Sequence, residues 1–386
     1  MWTHGLIAFQ VALSVLLLAS ALLLVTTLRN FRTGDFGFVR EGVVSMGLET
    51  SRAGYAGERR LAYFRAVLER ARNTPGVRGA ALSLGMPAIS GGVDSSFGIE
   101  GQPRDPDATV CVNDVTDGYF DATGTPVLRG RDFGPQDGPR STPVAIINDA
   151  LARRYFGTRN PIGQRVDAGI RGVVEVVGVA ATTKCQSLRE SDSPIIYLHA
   201  LQGANTGALS LNLVVKVVGD PVLTGLSVRR AIQDMAPVPV ARPATLSSQL
   251  ERALVEERLI ARVLAVFALL AIALAAAGLY GVLSYSTARR TGELGIRLAL
   301  GATRGALVGT VLAEAAKLAA LGIAIGVPAA LAFTKLLSNL LYGVAPTDAR
   351  ILGAVVVSLF GVALFAASVP AWRASRVDPL AALRCE

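Results

Sequence analysis

Histidine and cysteine are both scarce in this sequence of 386 residues. The chain has two histidines and three cysteines, spaced too widely for any metal-ligand motif: His4, His199, Cys111, Cys185 and Cys385. We therefore expect neither a metal site nor a redox site. Cys111 and Cys185 can form a disulfide if they share an extracytoplasmic domain, but we expect two buried free thiols instead.

The common catalytic motifs are also missing. The sequence has no G-x-x-x-x-G-K-[ST] phosphate loop, no set of kinase motifs, and neither H-E-x-x-H nor G-x-S-x-G. Ser95 and Ser96 lie in a glycine-rich stretch with no histidine motif to activate them, so a membrane hydrolase is a weak alternative. We predict no catalytic residues and no cofactor bound by this chain.

Charged residues are few and apolar residues many. Only 17% of the residues are charged and 51% are hydrophobic, whereas soluble domains are about one quarter charged. The net charge of +9 suits nucleic acid as well as membranes. However, the arginines stand beside apolar runs and not in basic tracts with interleaved aromatic residues, so we expect no nucleic-acid partner. The composition indicates a membrane protein.

Four apolar segments are about long enough to cross a bilayer, and they are residues 5–28, 263–286, 306–333 and 351–369. The first resembles a signal peptide in having Ala19, Ser20 and Ala21 as a cleavage-like site. We nevertheless predict an uncleaved helix, because its apolar run is too long and no Lys or Arg precedes it.

Arginine clusters follow the second and fourth segments, which places both on the cytoplasmic side by the positive-inside rule. The large insert from residue 29 onwards is then extracytoplasmic. Residues 58–72 have helical spacing of apolar positions, and several short runs such as 77–84 and 173–179 are typical of strands. The predicted fold is a membrane protein with four transmembrane α-helices and a large α+β extracytoplasmic domain, residues 29–245, between the first and second.

Residues 246–262 predict an amphipathic stalk helix that continues into the second span without a breaker. Within the spans, two pairs of small residues have the spacing that permits close helix approach, although such residues are common in any transmembrane helix. These predicted packing positions are Gly322 with Gly326 and Ala277 with Gly281. Glu314 and Lys317, one turn apart, are expected to pair with each other.

The loop at residues 287–305, "TARRTGELGIRLALGATRG", is charged and lies between two apolar segments. Glu293 and Arg297 stand at i, i+4 on one helical face, and Gly301 predicts a helix C-cap. Such a short helix suits docking of a separate cytoplasmic motor. It equally suits an interfacial helix lying on anionic lipid.

This loop, together with the tail "VPAWRASRVDPLAALRCE" at 369–386, resembles the ABC transporter permeases of the MacB/FtsX type. Upstream, "DGYFDATGTPVLRGRDF" and "VAIINDALARRYFGTRNPIGQRV" are similar to the extracytoplasmic core domain of these permeases. The resemblance implies an FtsX-like permease domain at 263–386 with a cytoplasmic coupling loop at 287–305 and a tail at 370–386. The matching positions are Glu293, Gly295, Arg297 and Gly301 in the coupling loop, and Arg373, Asp378, Pro379 and Arg384 in the membrane-surface tail.

The resemblance also implies partners. A separate ABC ATPase subunit would bind ATP and Mg²⁺ and drive the permease, a second permease copy or half would complete it, and it would sit among lipids of the bacterial inner membrane. An outer-membrane or periplasmic partner is compatible with the family. Its function would be efflux or the export of a lipoprotein, peptide or drug, by conformational change of the extracytoplasmic domain.

The first span is most similar to the helix that opens the second half of long, duplicated permeases of this family. Both a natural half-size permease and the C-terminal half of a longer one fit this pattern. Two other functions also stay open: an FtsX-like regulatory or signalling protein that transports nothing, and a truncated half-permease without activity.

Overall fold

The structure is a computed structural model that describes residues 2–89, 91–103, 108–190, 192–202, 210–290, 292–293, 296–297, 300, 302–336 and 341–376. The chain divides into two compact units. The spanning unit comprises Met1–Thr33 and Val255–Glu386, and the outer unit comprises Gly34–Leu254. The insert therefore begins and ends a few residues later than the predicted 29–245.

The α-helices are distributed over both units. In chain order they are α1 Trp2–Thr33, α2 Gly57–Arg72, α3 Tyr119–Thr123, α4 Asp149–Leu151, α5 Pro221–Gln233, α6 Leu246–Ala253, α7 Val255–Arg289, α8 Arg304–Leu336 and α9 Ala349–Ala374. Helix α4 continues as a π-helical turn over Ala152–Phe156. A 3₁₀ turn covers Gly169–Arg171.

Among the described residues, four helices are long and apolar enough to cross a membrane: α1, α7, α8 and α9. They contain the four predicted spans, but each extends beyond the apolar run. Helix α9 passes through Pro370 and ends at Ala374, so the expected end of the fourth span before Pro370 is wrong. Proline removes only one backbone donor, and the last turn of α9 continues beyond it.

The predicted stalk is not one helix. Helix α6 ends at Ala253, Leu254 adopts a non-helical conformation with φ −102° and ψ 11°, and α7 begins at Val255. The predicted stalk helix, 246–262, is therefore divided after its first two turns. No proline or glycine marks this break, which explains why the sequence pattern predicts a continuous helix.

Helices of the spanning unit approach closely at Gly322 and Gly326 of α8. A Cβ built on Gly322 would lie 2.6 Å from the Cβ of Val11, and one on Gly326 would lie 2.8 Å from the Cα of Ala12. Both contacts are with α1. Because lipid supplies little hydrophobic driving force between helices, such close approach is the main source of their cohesion.

Ala277 and Gly281 of α7 do not have this role within the chain. Both are exposed, and no heavy atom of the described structure lies within 4 Å of a Cβ built on Gly281. Within this one chain the pair has no helix to pack against among the described residues, so its packing role stays a prediction about contacts with another chain. The close approach on α7 occurs instead at Gly278, where a Cβ would lie 2.6 Å from Oε1 of Gln10.

Helix α1 satisfies its own hydroxyl groups. The side chains of Ser14, Ser20 and Thr26 each donate a hydrogen bond of 2.7–2.8 Å to the carbonyl oxygen four residues earlier. More than half of the most apolar stretch of α1 is buried, a larger share than in the other three spans. Its outer end is fixed by the α8–α9 link, since Asn30 donates to the carbonyl oxygen of Gly343 at 3.1 Å and Phe31 stacks on Tyr342.

The described residues of the outer unit form a sheet of twelve strands. In chain order the strands are β1 Val43–Gly47, β2 Val77–Ser83, β3 Val93–Ser96, β4 Gly98–Ile99, β5 Thr109–Val115, β6 Val127–Gly130, β7 Val144–Asn148, β8 Arg165–Asp167, β9 Val173–Ala180, β10 Ile195–His199, β11 Asn212–Val217 and β12 Ala244–Thr245. Their order is β12-β1-β11-β2-β5-β10-β7-β9-β8-β4, with β3 paired to β5 and β6 paired to β9.

The sheet has two parts that meet at a short junction. Strands β2 and β5 pair at a single position, Ser83 with Val115. On one side, β1, β2 and β11 pack on α2 and α5 around Phe64, Leu82 and Val215. On the other side, the parallel pairs β5 with β10 and β7 with β9 hold a separate core. The narrow junction leaves a cleft between the two parts.

Cys111 of β5 and Cys185 are joined by a disulfide, with their Cα atoms 6.6 Å apart. The expectation of two free thiols is therefore wrong. Both cysteines are buried, and Gly91 and Gly92 leave the space in which the two segments meet: a Cβ on Gly91 would lie 2.1 Å from the carbonyl oxygen of Cys185. Disulfides persist in oxidising compartments, which agrees with an extracytoplasmic outer unit.

Candidate functional site

In the loop between α7 and α8, the described residues 292–293 and 296–297 are helical. Leu300 donates its N–H to the carbonyl oxygen of Ile296 at 2.9 Å, and Ala302 donates to that of Arg297 at 2.9 Å. The second bond spans five residues, as in a Schellman cap. Thr303 then caps α8, since its hydroxyl accepts from the N–H of Ala306 at 3.3 Å. The chain therefore ends one helix and starts the next within a few residues.

Glu293 and Arg297 form the ion pair that their spacing predicts, with Nη2 of Arg297 2.5 Å from Oε1 of Glu293. About half of each side chain is exposed, so the pair stabilises the turn by only about 0.3–0.5 kcal/mol. Ile296 is 50% exposed and Leu300 is 83% exposed. The loop thus presents apolar side chains beside a charged pair, a composition that suits contact with another surface.

A second ion pair fastens this loop to the bundle. Nη1 of Arg290 lies 3.7 Å from Oε2 of Glu314, which is in the third turn of α8. We expected Glu314 to pair with Lys317 on its own helix, and that expectation is wrong. Arg290 follows directly after α7, so its pair with Glu314 joins the start of the loop to α8.

Arg373 and its neighbours lie at the end of α9. Nη1 of Arg373 donates to the hydroxyl of Tyr280 on α7 at 3.3 Å. The guanidinium of Arg376 lies 3.7 Å from the ring centre of Trp372, a cation–π contact. These contacts fix the start of the tail against the bundle. Five predicted positions lie outside the described residues, and these are Gly295, Gly301, Asp378, Pro379 and Arg384.

A second candidate site is the cleft between the two parts of the outer sheet. Its volume is about 560 Å³, the size of a drug-like ligand, and it is bounded by α2, the segment 134–139 and the end of β10. Arg72 closes one wall with a 2.9 Å ion pair to Asp117. Arg65 and Glu69 of α2 line the same wall and are exposed. Sequence patterns did not indicate this cleft, because its walls come from segments far apart in the chain.

Burial and hydrogen bonds shift the pKa values of several groups in and near the cleft. Two hydrogen bonds from Arg131, at 2.6 and 2.8 Å, lower the pKa of Asp137. Burial lowers the pKa of His199, whose Nδ1 has no hydrogen-bond partner among the described residues. Burial also raises the pKa of Asp132 to about 6, and repulsion by Asp117 adds to this shift. The cleft itself is lined by both basic and acidic side chains, among them Arg65, Glu69 and Asp137.

Comparison with known proteins gives these features a context. The family model of the MacB-like periplasmic core domain matches residues 5–229, and the model of the FtsX-like permease C-terminal domain matches residues 265–379. The first match alone covers more than half of the chain. The first model covers α1 and most of the outer unit, and the second covers most of the spanning helices α7 to α9.

Curated relatives include macrolide export ATP-binding/permease proteins MacB. The one from Bdellovibrio bacteriovorus is 26% identical over 277 residues, covering 68% of this chain and 42% of that protein. The one from Acinetobacter baylyi is 27% identical over 322 residues, covering 78% of this chain and 46% of that protein. The chain therefore matches less than half the length of either relative.

Among solved structures, the periplasmic region of MacB from Actinobacillus actinomycetemcomitans is 14% identical, with a TM-score of 0.40. It aligns with 59% of this chain and 97% of that chain. A core-domain model over residues 5–229 and a permease model over residues 265–379 together account for nearly all of the sequence. The chain belongs to the ABC transporter permeases of the MacB/FtsX type.

Proposed function

We propose that this chain is the permease subunit of an ABC transport system in a bacterial inner membrane, and that it works by mechanical transmission. A separate ATPase subunit binds ATP and Mg²⁺ and presses on the α7–α8 loop. The spanning helices shift, and the outer unit changes conformation to export a lipoprotein, peptide or drug. A second permease copy or half completes the assembly, and an outer-membrane or periplasmic partner extends it.

The observation that carries this proposal is the way the α7–α8 loop is built. It presents exposed Ile296 and Leu300 beside the Glu293–Arg297 pair. At the same time, Arg290 and Glu314 connect its start to α8. A force applied to the exposed turn would reach α7 through the chain and α8 through this ion pair. A free amphipathic helix on lipid needs no such attachment, so the loop favours docking over simple surface adsorption.

The first experiment is affinity purification of the detergent-solubilised full chain from its native membrane, followed by mass spectrometry. Recovery of an ABC ATPase together with a second permease copy or half supports the proposal. Recovery of the chain alone contradicts it. Recovery of an ATPase with a cell-wall hydrolase instead favours a regulatory protein of the FtsX kind.

The second experiment reverses one charge in the loop. Arg297→Glu places two carboxylates at i, i+4 and removes the cation. We expect loss of ATPase co-purification and of ATPase stimulation, with normal membrane insertion. Arg350→Glu is the matched control, because it makes the same charge change at the opposite end of the spanning unit.

A charge-swapped variant separates docking from local helix stability. Glu293→Arg with Arg297→Glu keeps an ion pair within the turn but exchanges its ends. If the partner contacts these charges directly, the swap stays defective. Normal ATPase stimulation by Arg297→Glu itself would remove the docking role of this residue.

A further inference from the structure

A narrow crevice lies between α1 and α7, at the end of the spanning unit from which the chain enters and leaves the outer unit. Its volume is about 370 Å³. Three arginines line it: Arg29 of α1, and Arg258 and Arg262 of α7. The other described lining residues are aliphatic, including Val25, Leu28 and Ala265, and none of them is acidic.

The lining follows the helical repeat on both sides. Val25, Leu28 and Arg29 share one face of α1, since they are spaced i, i+3, i+4. Arg258, Arg262 and Ala265 share one face of α7 in the same way. The two helices run in opposite directions across the membrane, so Arg29 and Arg258 lie towards the outer surface. Val25 and Ala265 lie about one to two turns deeper. The crevice is cationic above and apolar below.

The positive-inside rule does not explain arginines at this outer end of the spans. Positive residues flanking spans accumulate on the cytoplasmic side, and an arginine facing the hydrocarbon costs several kcal/mol unless it is paired or reaches the interface. The guanidinium groups of Arg29 and Arg262 have no ion pair or hydrogen bond with any described residue, and both residues are exposed. An external anion would compensate them.

We propose that this crevice binds the headgroup of an anionic phospholipid from the outer leaflet. The phosphate would lie among Arg29, Arg258 and Arg262, and an acyl chain would follow Val25, Leu28 and Ala265 into the bilayer. Guanidinium groups match phosphate oxygens in shape and charge. Basic pockets between transmembrane helices bind anionic headgroups on the cytoplasmic side of membranes, and the same chemistry applies at the outer end of these spans. The occupant is a resident lipid, held whether or not an ATPase is bound, so the proposal does not depend on the transport function.

The test uses the full chain in detergent, titrated with phosphatidylglycerol and separately with phosphatidylcholine, and bound lipid is counted by native mass spectrometry. We expect preferential binding of phosphatidylglycerol. Each of Arg29→Gln and Arg262→Gln should weaken it about fivefold, following the usual contribution of one basic residue near an anionic surface. Arg350→Gln is the matched control, because it removes an arginine from the outer end of α9, away from the crevice.

Three results would overturn the proposal. They are equal binding of the two lipids, an equal loss in the Arg350→Gln control, and unchanged binding in the double variant Arg29→Gln with Arg262→Gln. Size-exclusion chromatography of each variant checks folding, and a variant that aggregates is replaced by the lysine substitution, which keeps the charge and should retain most binding. Soluble glycerol phosphate that binds as tightly as the lipid would refute the role of the apolar wall.

Discussion

The spanning unit and the outer unit differ in what stabilises each of them internally. Helices of the spanning unit pack through aliphatic side chains and approach most closely at glycine, as where Gly322 and Gly326 lie against α1. The outer unit is built around large aromatic side chains, such as Tyr119, Phe120 and Tyr197, and is cross-linked by Cys111 and Cys185.

This difference follows from the two solvents. Water favours burial of large apolar side chains, so the outer unit gains stability from the size of its core residues. Lipid is as apolar as leucine, and helices in it gain instead from close backbone approach. The outward faces reflect the same rule: Phe267 and Leu270 of α7 are more than half exposed. Enlarging a side chain should therefore be most harmful where the spanning helices touch, and removing side-chain atoms should be most harmful in the core of the outer unit.

The largest effect should come from the disulfide. Replacing Cys111 and Cys185 together by serine should lower the free energy of unfolding of the outer unit by about 2–4 kcal/mol, because a long loop is no longer closed in the unfolded chain. Thermal unfolding of the full chain, monitored by limited proteolysis, measures this loss. The spanning unit should stay protected. Identical proteolysis of oxidised and reduced protein would contradict the prediction.

An added side chain should harm the spanning unit where helices touch. Gly322→Leu places atoms where Val11 and the backbone of Ala8 already stand, and should cost about 1–3 kcal/mol. Gly281→Leu is the control: its surroundings are open in the described structure, so a change below about 0.5 kcal/mol is expected. Thermal unfolding curves of both variants in detergent measure the two changes in stability. Equal destabilisation by both variants would show that Gly281 has a contact in the assembled membrane protein.

A smaller, pH-dependent effect is expected in the outer unit at Asp132. Its folded pKa of about 6 is above the ordinary 3.8, so the folded state holds this proton more tightly than the unfolded state. Its contribution to stability is present below pH 4 and is lost as the pH rises towards 6. Asp132→Asn should therefore raise the melting temperature more at pH 7 than at pH 4.5. A gain that is the same at both pH values would contradict this.

The smallest effect should come from the ion pair Arg290–Glu314. A double-mutant cycle with Arg290→Gln and Glu314→Gln should give a coupling energy of about 0.2–1 kcal/mol, since more than half of the Arg290 side chain is exposed. Lys317→Gln provides the comparison. A larger coupling of Glu314 with Lys317 than with Arg290 would make Lys317 the preferred partner and contradict the prediction.

Sequence patterns located the spanning helices well, because length and hydropathy are local properties. Their ends were less accurate: α1 reaches Thr33 and α9 passes through Pro370, since a helix can continue beyond its apolar run. The break at Leu254 left no mark that a helix pattern records. Leu254 leaves the helical conformation although neither proline nor glycine is present at this position.

Several elements of the outer unit were also predicted, and α2 and β9 lie within one residue of the predicted ranges. Strand β5 was missed. It contains Asn113 and Asp114, which are both buried although they are polar. Their partners belong to other elements: Asn113 accepts from the N–H of Gly85 at 3.2 Å, and Asp114 pairs with Arg171. The pattern of apolar and polar residues cannot predict a buried polar side chain whose hydrogen-bond or ion-pair partner lies far away in the sequence.

Among the candidate sites, contacts between residues close in sequence were predictable and contacts between distant segments were not. The Glu293–Arg297 pair followed from i, i+4 spacing, whereas the pairing of Arg290 with Glu314 crosses a loop. The disulfide joins residues 74 positions apart, and the arginine crevice joins two helices separated by the whole outer unit. Each of these depends on which distant segments become neighbours.

The buried position of α1 has a consequence for membrane insertion, because the helices that bury it are synthesised later. This helix is made before its partners α7 and α8, which follow only after the outer unit of about 220 residues. At ribosomal rates, α1 waits in the bilayer for roughly 10–45 s. Its hydroxyl groups at Ser14, Ser20 and Thr26 are already bonded to its own backbone. A nascent chain can therefore hold α1 alone in lipid until the later spans arrive.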